Sequence, residues 1–153
     1  MVFRGGRPSS PVSSAEWYYY TMRASGLFDV KLAPQPPDGE AGGVAIGRMA
    51  IDKQFQGELE ATSRGQMLAF RASVAGSAGY VAMEVVVGRL HGRSGTFVLQ
   101  HSGTMTRGAQ QLALTVVPDS ATDQLTGLAG SMAIAVAEGK HAYTFDYTLP
   151  EAS

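Results

Sequence analysis

The stretch Tyr80-Val81-Ala82-Met83-Glu84-Val85-Val86-Val87 decides the fold. It is rich in β-branched and aromatic residues and contains neither glycine nor proline, the composition of a pleated strand. Side chains alternate across a strand, so Val81, Met83, Val85 and Val87 take one face while Tyr80, Ala82, Glu84 and Val86 take the other. Both faces are largely apolar, which predicts a strand buried on both sides. Glu84 is the one charge in the stretch, and it stands among apolar neighbours.

The same period of two runs outward in both directions. Before the stretch lies a turn at 76–79, preceded by a strand over 58–70 that sets Glu58, Glu60 and Thr62 opposite Leu59, Ala61 and Ser63, with Gly65 as a bend. Earlier still, a strand over 44–55 places Met49, Ile51, Lys53 and Phe55 on one face, and Lys53 is its odd member. The first strand alternates Phe28, Val30 and Leu32 with Leu27, Asp29 and Lys31, and ends at Pro34 in a loop rich in proline and glycine. After the stretch, His91-Gly92-Arg93-Ser94-Gly95 turns into a strand with Phe97, Leu99 and His101 facing one way and Thr96, Val98 and Gln100 the other. Leu112, Leu114 and Val116 mark the next strand, then Met132, Ile134 and Val136 another. The last places His141, Tyr143, Phe145, Tyr147 and Leu149 on one face before Pro150. No long helical stripe occurs in this pattern.

About eight strands joined by short turns would leave two exposed sheet edges, and closure into a single antiparallel β-barrel removes both. An all-β barrel with little helix is therefore the predicted fold, with a two-sheet sandwich as the alternative. A barrel of this size is either filled by side chains or holds one small ligand. The 153 residues suit one domain, predicted over 22–150 with a tail at 151–153. Residues 1–21 carry Gly5, Gly6, Pro8 and Pro11 followed by Trp17, Tyr18, Tyr19 and Tyr20. They read as a leader, either poorly ordered or starting a short helix from the Ser13 and Glu16 capping pair, with Met22 an alternative initiation site.

Charged residues make up 16% of the chain, against about 25% in ordinary soluble domains, so apolar surface covered by partner subunits is expected and a homo-oligomer is predicted. The net charge of -1, with both signs scattered, argues against nucleic acid as a partner. No apolar segment reads as a signal or membrane anchor. The absence of cysteine excludes thiol nucleophiles and suits a cytoplasmic location.

Several segments resemble a bacterial family catalogued as domain of unknown function 3224. They are Ala24-Ser25-Gly26-Leu27-Phe28-Asp29-Val30-Lys31-Leu32, Asp52-Lys53-Gln54-Phe55 running through Gly57 to Leu59-Glu60-Ala61-Thr62-Ser63, and Ala78-Gly79-Tyr80-Val81-Ala82-Met83-Glu84. Phe97-Val98-Leu99-Gln100-His101-Ser102-Gly103-Thr104-Met105, Val117-Pro118-Asp119-Ser120 and Gly139-Lys140-His141 continue the likeness, which spans nearly all of 22–150. What the resemblance implies is a barrel similar to allene oxide cyclase, a cofactor-free enzyme. It carries no catalytic residues that transfer to this chain.

Polar residues on strands are the candidates for chemistry. Glu84 and Glu60, if they face an apolar interior, would have raised pKa values and act as acid or base. The structural alternative pairs each with Lys53, Arg48 or Arg89. His101 is a candidate base or ligand donor, and otherwise a core histidine bonded to a carbonyl or glutamate. Tyr80, Gln100, His141, Tyr143 and Tyr147 are candidate ligand contacts, although barrel packing accounts equally for the aromatic ones. No ligand spacing points to a metal, and no glycine-rich turn opens a helix for phosphate, so no cofactor is expected. Two functions follow. The barrel binds a small, largely apolar molecule, with cofactor-free isomerisation or cyclisation as its enzymatic version. Alternatively it is filled and works as an oligomeric interaction module.

Overall fold

A computed structural model describes residues 21–150. Ten strands follow in order: β1 (Met22–Gln35), β2 (Glu40–Ala41), β3 (Val44–Ala45), β4 (Gly47–Phe55), β5 (Leu59–Arg71), β6 (Ala78–Leu90), β7 (Arg93–Thr106), β8 (Ala109–Val116), β9 (Ala129–Ala137) and β10 (Lys140–Thr148). Eight of them close a barrel in the order β1-β10-β9-β8-β7-β6-β5-β4, while β2 and β3 form a small separate hairpin between β1 and β4. Every neighbouring pair is antiparallel. The barrel closes because β1 pairs on one side with β10, Phe28 opposite His141, and on the other with β4, Phe28 opposite Phe55. The predicted leader helix falls on residues outside those described, except that Met22 already begins β1.

Partners across an antiparallel ladder share a face, so register carries the inward face around the barrel. Even-numbered residues face inward on β1, β6, β8 and β9, and odd-numbered ones on β4, β5, β7 and β10, as their burial confirms. One correction follows. The Val81, Met83, Val85 and Val87 face of β6, expected to be buried, is the outer wall and stays about half exposed. An apolar composition on both faces gives no sign of which one turns outward.

One end of the barrel is packed solid. Phe28, Phe55, Leu59, Leu90, Phe97, Leu99, Tyr143, Phe145 and Tyr147 fill it, each burial worth roughly 1.5–3 kcal/mol relative to exposure. The Phe145 ring stacks on Phe97 and Tyr147, with centroids 5.8 Å and 5.3 Å apart. Below these rings the 117–128 connection closes the end and inserts Leu125 and Leu128. It is tied to β7 by hydrogen bonds from Val117 N–H to the Val98 carbonyl and from Thr122 N–H to the Thr96 carbonyl, both 2.9 Å. A single short 3-10 turn, Asp123–Leu125, is the helix content of the described residues. None of it is long and apolar enough to cross a membrane.

Candidate functional site

Above the aromatic layer the interior turns polar. Lys53 on β4 and Glu84 on β6 both face inward from strands that are not neighbours, and meet over β5 with Nζ 2.8 Å from Oε2. The Glu84 side chain is fully buried and that of Lys53 nearly so. Their meeting depends on Gly65, the residue of β5 opposite Glu84, where a Cβ would lie 2.8 Å from that of Glu84. Ser63, next inward on β5, donates its hydroxyl to Glu84 Oε1 at 3.1 Å. The Lys53 ammonium sits 5.0 Å from the Phe28 ring centroid and 5.7 Å from that of Phe55, so the aromatic layer serves as its cation–π seat.

His101 completes the layer from β7, buried opposite Ala82, with Nε2 2.7 Å from Glu84 Oε2. Its N–H is poorly aligned with that oxygen, which leaves Nε2 without a well-formed hydrogen bond, alone among buried side-chain polar atoms of the described residues. A lone pair there would be repelled by the carboxylate, so Nε2 carries a proton. Nδ1 lies 3.4 Å from the hydroxyl of Tyr80. The Tyr80 ring can lie against β7 because Gly103 is opposite; a Cβ there would come within 2.5 Å of its Cε1.

Glu84 and Tyr80 in this layer are shifted from their ordinary acidities. Burial alone would push the Glu84 carboxyl up, but contact with His101 and the charge and hydrogen bond of Lys53 outweigh it and hold the carboxyl below the usual range. For Tyr80, burial first and the Glu84 charge second raise the phenol. Glu84 is therefore a fixed anion rather than the raised-pKa acid expected from sequence, and Tyr80 a proton-bearing donor.

Beyond this layer the inward positions lose their cover. Leu32 on β1, Leu112 on β8 and Val136 on β9 face the lumen yet are 48%, 43% and 64% exposed. Met49, Met67, Met105 and His141 at the same end are half-buried. The exposure pattern divides the interior like a cup: solid at one end, uncovered at the rim of the other, with the Lys53, Glu84 and His101 layer buried between as the floor. Two concavities lie away from it. One of 430 Å³ is lined by Gln54, Gln56, Glu60, Thr62 and Val87 on the outer wall, the other of 460 Å³ by Asp38, Glu40, Val44, Arg48 and Leu68 beside the hairpin. Neither touches the polar layer, and neither gathers buried polar groups.

Comparison with known proteins fits this architecture to a family. The family model described as protein of unknown function (DUF3224) matches residues 24–147. The chain belongs to the DUF3224 family. A crystal structure of a DUF3224 protein of unknown function from Shewanella oneidensis MR-1 is similar, with 52% identity and a TM-score of 0.82. The match covers 87% of this chain and 100% of that one. No curated protein matches.

Within this DUF3224 barrel the sequence-predicted residues separate cleanly. Glu84, His101 and Tyr80 come together at the floor, joined by Lys53, which the sequence marked as out of place, and by Ser63, which carried no signal. Glu60 is corrected to the outer wall: Leu59, Ala61 and Ser63 face inward, so Glu60 projects to solvent, opposite Arg89 in register. Gln100 likewise faces out, because His101 takes the inward position. Tyr143 and Tyr147 face inward but lie in the solid end, not around open space. The Tyr143 hydroxyl accepts from Leu59 N–H at 3.0 Å and donates to the Gln56 carbonyl at 2.7 Å, and that of Tyr147 bonds His91 Nδ1. His141 faces the lumen, its ring centroid 5.1 Å from that of Phe28. Among the described residues no group of three or more His, Asp or Glu side chains is arranged to hold a metal.

Proposed function

We propose that the open half of the barrel binds a small, largely apolar molecule that presents one hydrogen-bonding group to Tyr80 and His101. The observation that carries this reading is the exposure of inward-facing Leu32, Leu112 and Val136 above a buried charged floor. Apolar walls with a few convergent polar groups are the usual make-up of a small-molecule site. The chemistry this floor supports is proton transfer without a cofactor. Tyr80 donates to a ligand oxygen, His101 Nδ1 takes up a proton, and Glu84, clamped by Lys53 and Ser63, orients the imidazole. Isomerisation or cyclisation of an apolar substrate needs no more than this.

The test is binding of N-phenylnaphthylamine, an uncharged apolar fluorophore. Fluorescence titration gives saturable binding to the wild type, and glutamates in the lumen (Leu112→Glu with Val136→Glu) weaken it by roughly tenfold or more, a loss of about 1.4 kcal/mol. Val85→Glu on the outer wall leaves it unchanged. Binding lost only with Val85→Glu would transfer the probe to the outer wall and end the lumen reading.

A second reading rests on that same outer stripe. Val81, Met83, Val85 and Val87 form an exposed apolar row on β6, the kind of surface subunits bury against each other. Sedimentation of the wild type beside Val85→Glu decides it, self-association in the first and its loss in the second being the supporting outcome.

A further inference from the structure

The barrel wall is not equally closed all the way round. β8 is paired with β7 along its whole length, from Leu99 opposite Val116 to Thr106 opposite Ala109, and β9 with β10 from Ala137 opposite Lys140 to Ala129 opposite Thr148. Between β8 and β9, however, only Leu114 with Met132 and Thr115 with Ser131 are in register. Continuing that register would set Ala113 opposite Ala133 and Leu112 opposite Ile134. Residues 109–113 and 133–137 have no such partners across the seam, so the ladder between the two strands stops short of the open end.

The side chains along the gap suit an apolar passage. Leu112, Ile134 and Val136 point from its two edges toward the lumen, and two of them are among the most exposed inward-facing residues of the barrel. On the far side, Met49 and Met67 at the open end are half-buried. Leu32 on β1, away from the seam, is also 48% exposed, so the seam is one of two exposed stretches of the lumen wall. The outward-facing positions that flank it are Ala109, Gln111, Ala113, Ala133, Ala135 and Ala137, so no bulky apolar side chain covers the gap from outside. With few cross-strand hydrogen bonds to break, this is also where the wall opens at least cost.

We infer that the β8–β9 seam is a lateral portal through which an apolar ligand reaches the floor of the cup, an inference that rests on the lumen-binding reading above. A ligand admitted here arrives between Leu112 and Ile134, with His101 within one strand, since His101 is opposite Leu114 on β7–β8.

The natural chain has no cysteine, so Ala113→Cys with Ala133→Cys introduces one defined pair, at the first position beyond the seam's last register pair. A disulfide there requires Cα atoms within about 7 Å and zips the seam upward. Stopped-flow association of N-phenylnaphthylamine reads the result. The oxidised protein takes up the probe roughly tenfold more slowly than the same protein reduced, with the final amplitude unchanged. Equal rates in the two forms overturn the portal while leaving the lumen site intact, whereas a reduced protein that binds no probe overturns the lumen reading itself. Ala135→Trp, which sets a large ring on the outer lip, is the second variant. It slows association with the amplitude retained, and an unchanged rate counts against the portal.

Discussion

The two ends of one barrel, built from the same strands, use opposite means of filling their interior. At the end closed by the 117–128 connection, six rings, those of Phe28, Phe55, Phe97, Tyr143, Phe145 and Tyr147, occupy the lumen. Even the phenol of Tyr143 is consumed in backbone hydrogen bonds to Leu59 and Gln56. At the other end glycine and alanine stand beside a buried layer of charged groups, and the inward apolar side chains of Leu32, Leu112 and Val136 are exposed. Packing of the first kind fixes a fold. The second kind gives up stability that burial could have supplied.

Removing the floor's cation is the severest way to break this contrast. Lys53→Met leaves the Glu84 carboxylate fully buried beside a misaligned imidazole, and should destabilise the protein by about 3–5 kcal/mol in urea unfolding. Replacing both charges, Lys53→Met with Glu84→Leu, restores most of the loss. A single-variant cost below about 1 kcal/mol would mean that the layer is effectively solvated. Matched truncations sharpen the contrast next. Leu90→Ala in the solid end costs about 2–5 kcal/mol, while Leu32→Ala at the rim stays within about 0.5 kcal/mol. Equal costs would erase the distinction between the ends.

The smallest effect is on acid stability. The folded-state pKa of Glu84 is depressed, so the unfolded chain binds its proton first as pH falls. Its contribution is complete above the unfolded value of about 4.3 and is lost as pH drops through the lower folded value. Glu84→Gln should flatten the acid limb of a stability-versus-pH curve in that window. The exposed Arg23 and Asp146 pair, where the Arg23 hydrogen bond lowers the Asp146 carboxyl, contributes in the same direction. The comparison is therefore made in an Asp146→Asn background. An unchanged limb would show that Glu84 is not held ionised by its neighbours.

Alternation alone was enough to read the strands and to sort their side chains into two faces, but not to say which face is interior. On β7 Phe97, Leu99 and His101 separate from Thr96, Val98 and Gln100, and it is burial in the closed barrel that turns the first set inward. On β6 valines on both faces leave no polarity difference to decide between them. Periodicity also assigns a face but not a depth. Tyr80, Tyr143 and Tyr147 all read as candidate ligand contacts, yet one belongs to the polar layer and two to the solid end. The meeting of Lys53 with Glu84 was beyond local pattern, because it joins non-neighbouring strands and requires barrel closure and the missing side chain at Gly65. The lysine's anomaly among Met49, Ile51 and Phe55 was the available clue, and a buried cation on an apolar face implies a buried anion somewhere opposite it.

Glu84 has one further consequence, in the chain before it folds. The stretch Tyr80-Val81-Ala82-Met83-Glu84-Val85-Val86-Val87 has the make-up of a self-associating β-segment, apolar, β-prone and free of proline, and Glu84 is its sole charge. In the unfolded polypeptide that carboxylate is exposed and interrupts the run, as gatekeeper residues do at the flanks of hydrophobic strands. Folding then hides both the segment's edges, in ladders with β5 and β7, and the charge, against Lys53. A side chain that is costly to bury in the native barrel thus guards the nascent chain against aggregation, and neutralising it would trade folded-state strain for a stickier unfolded state.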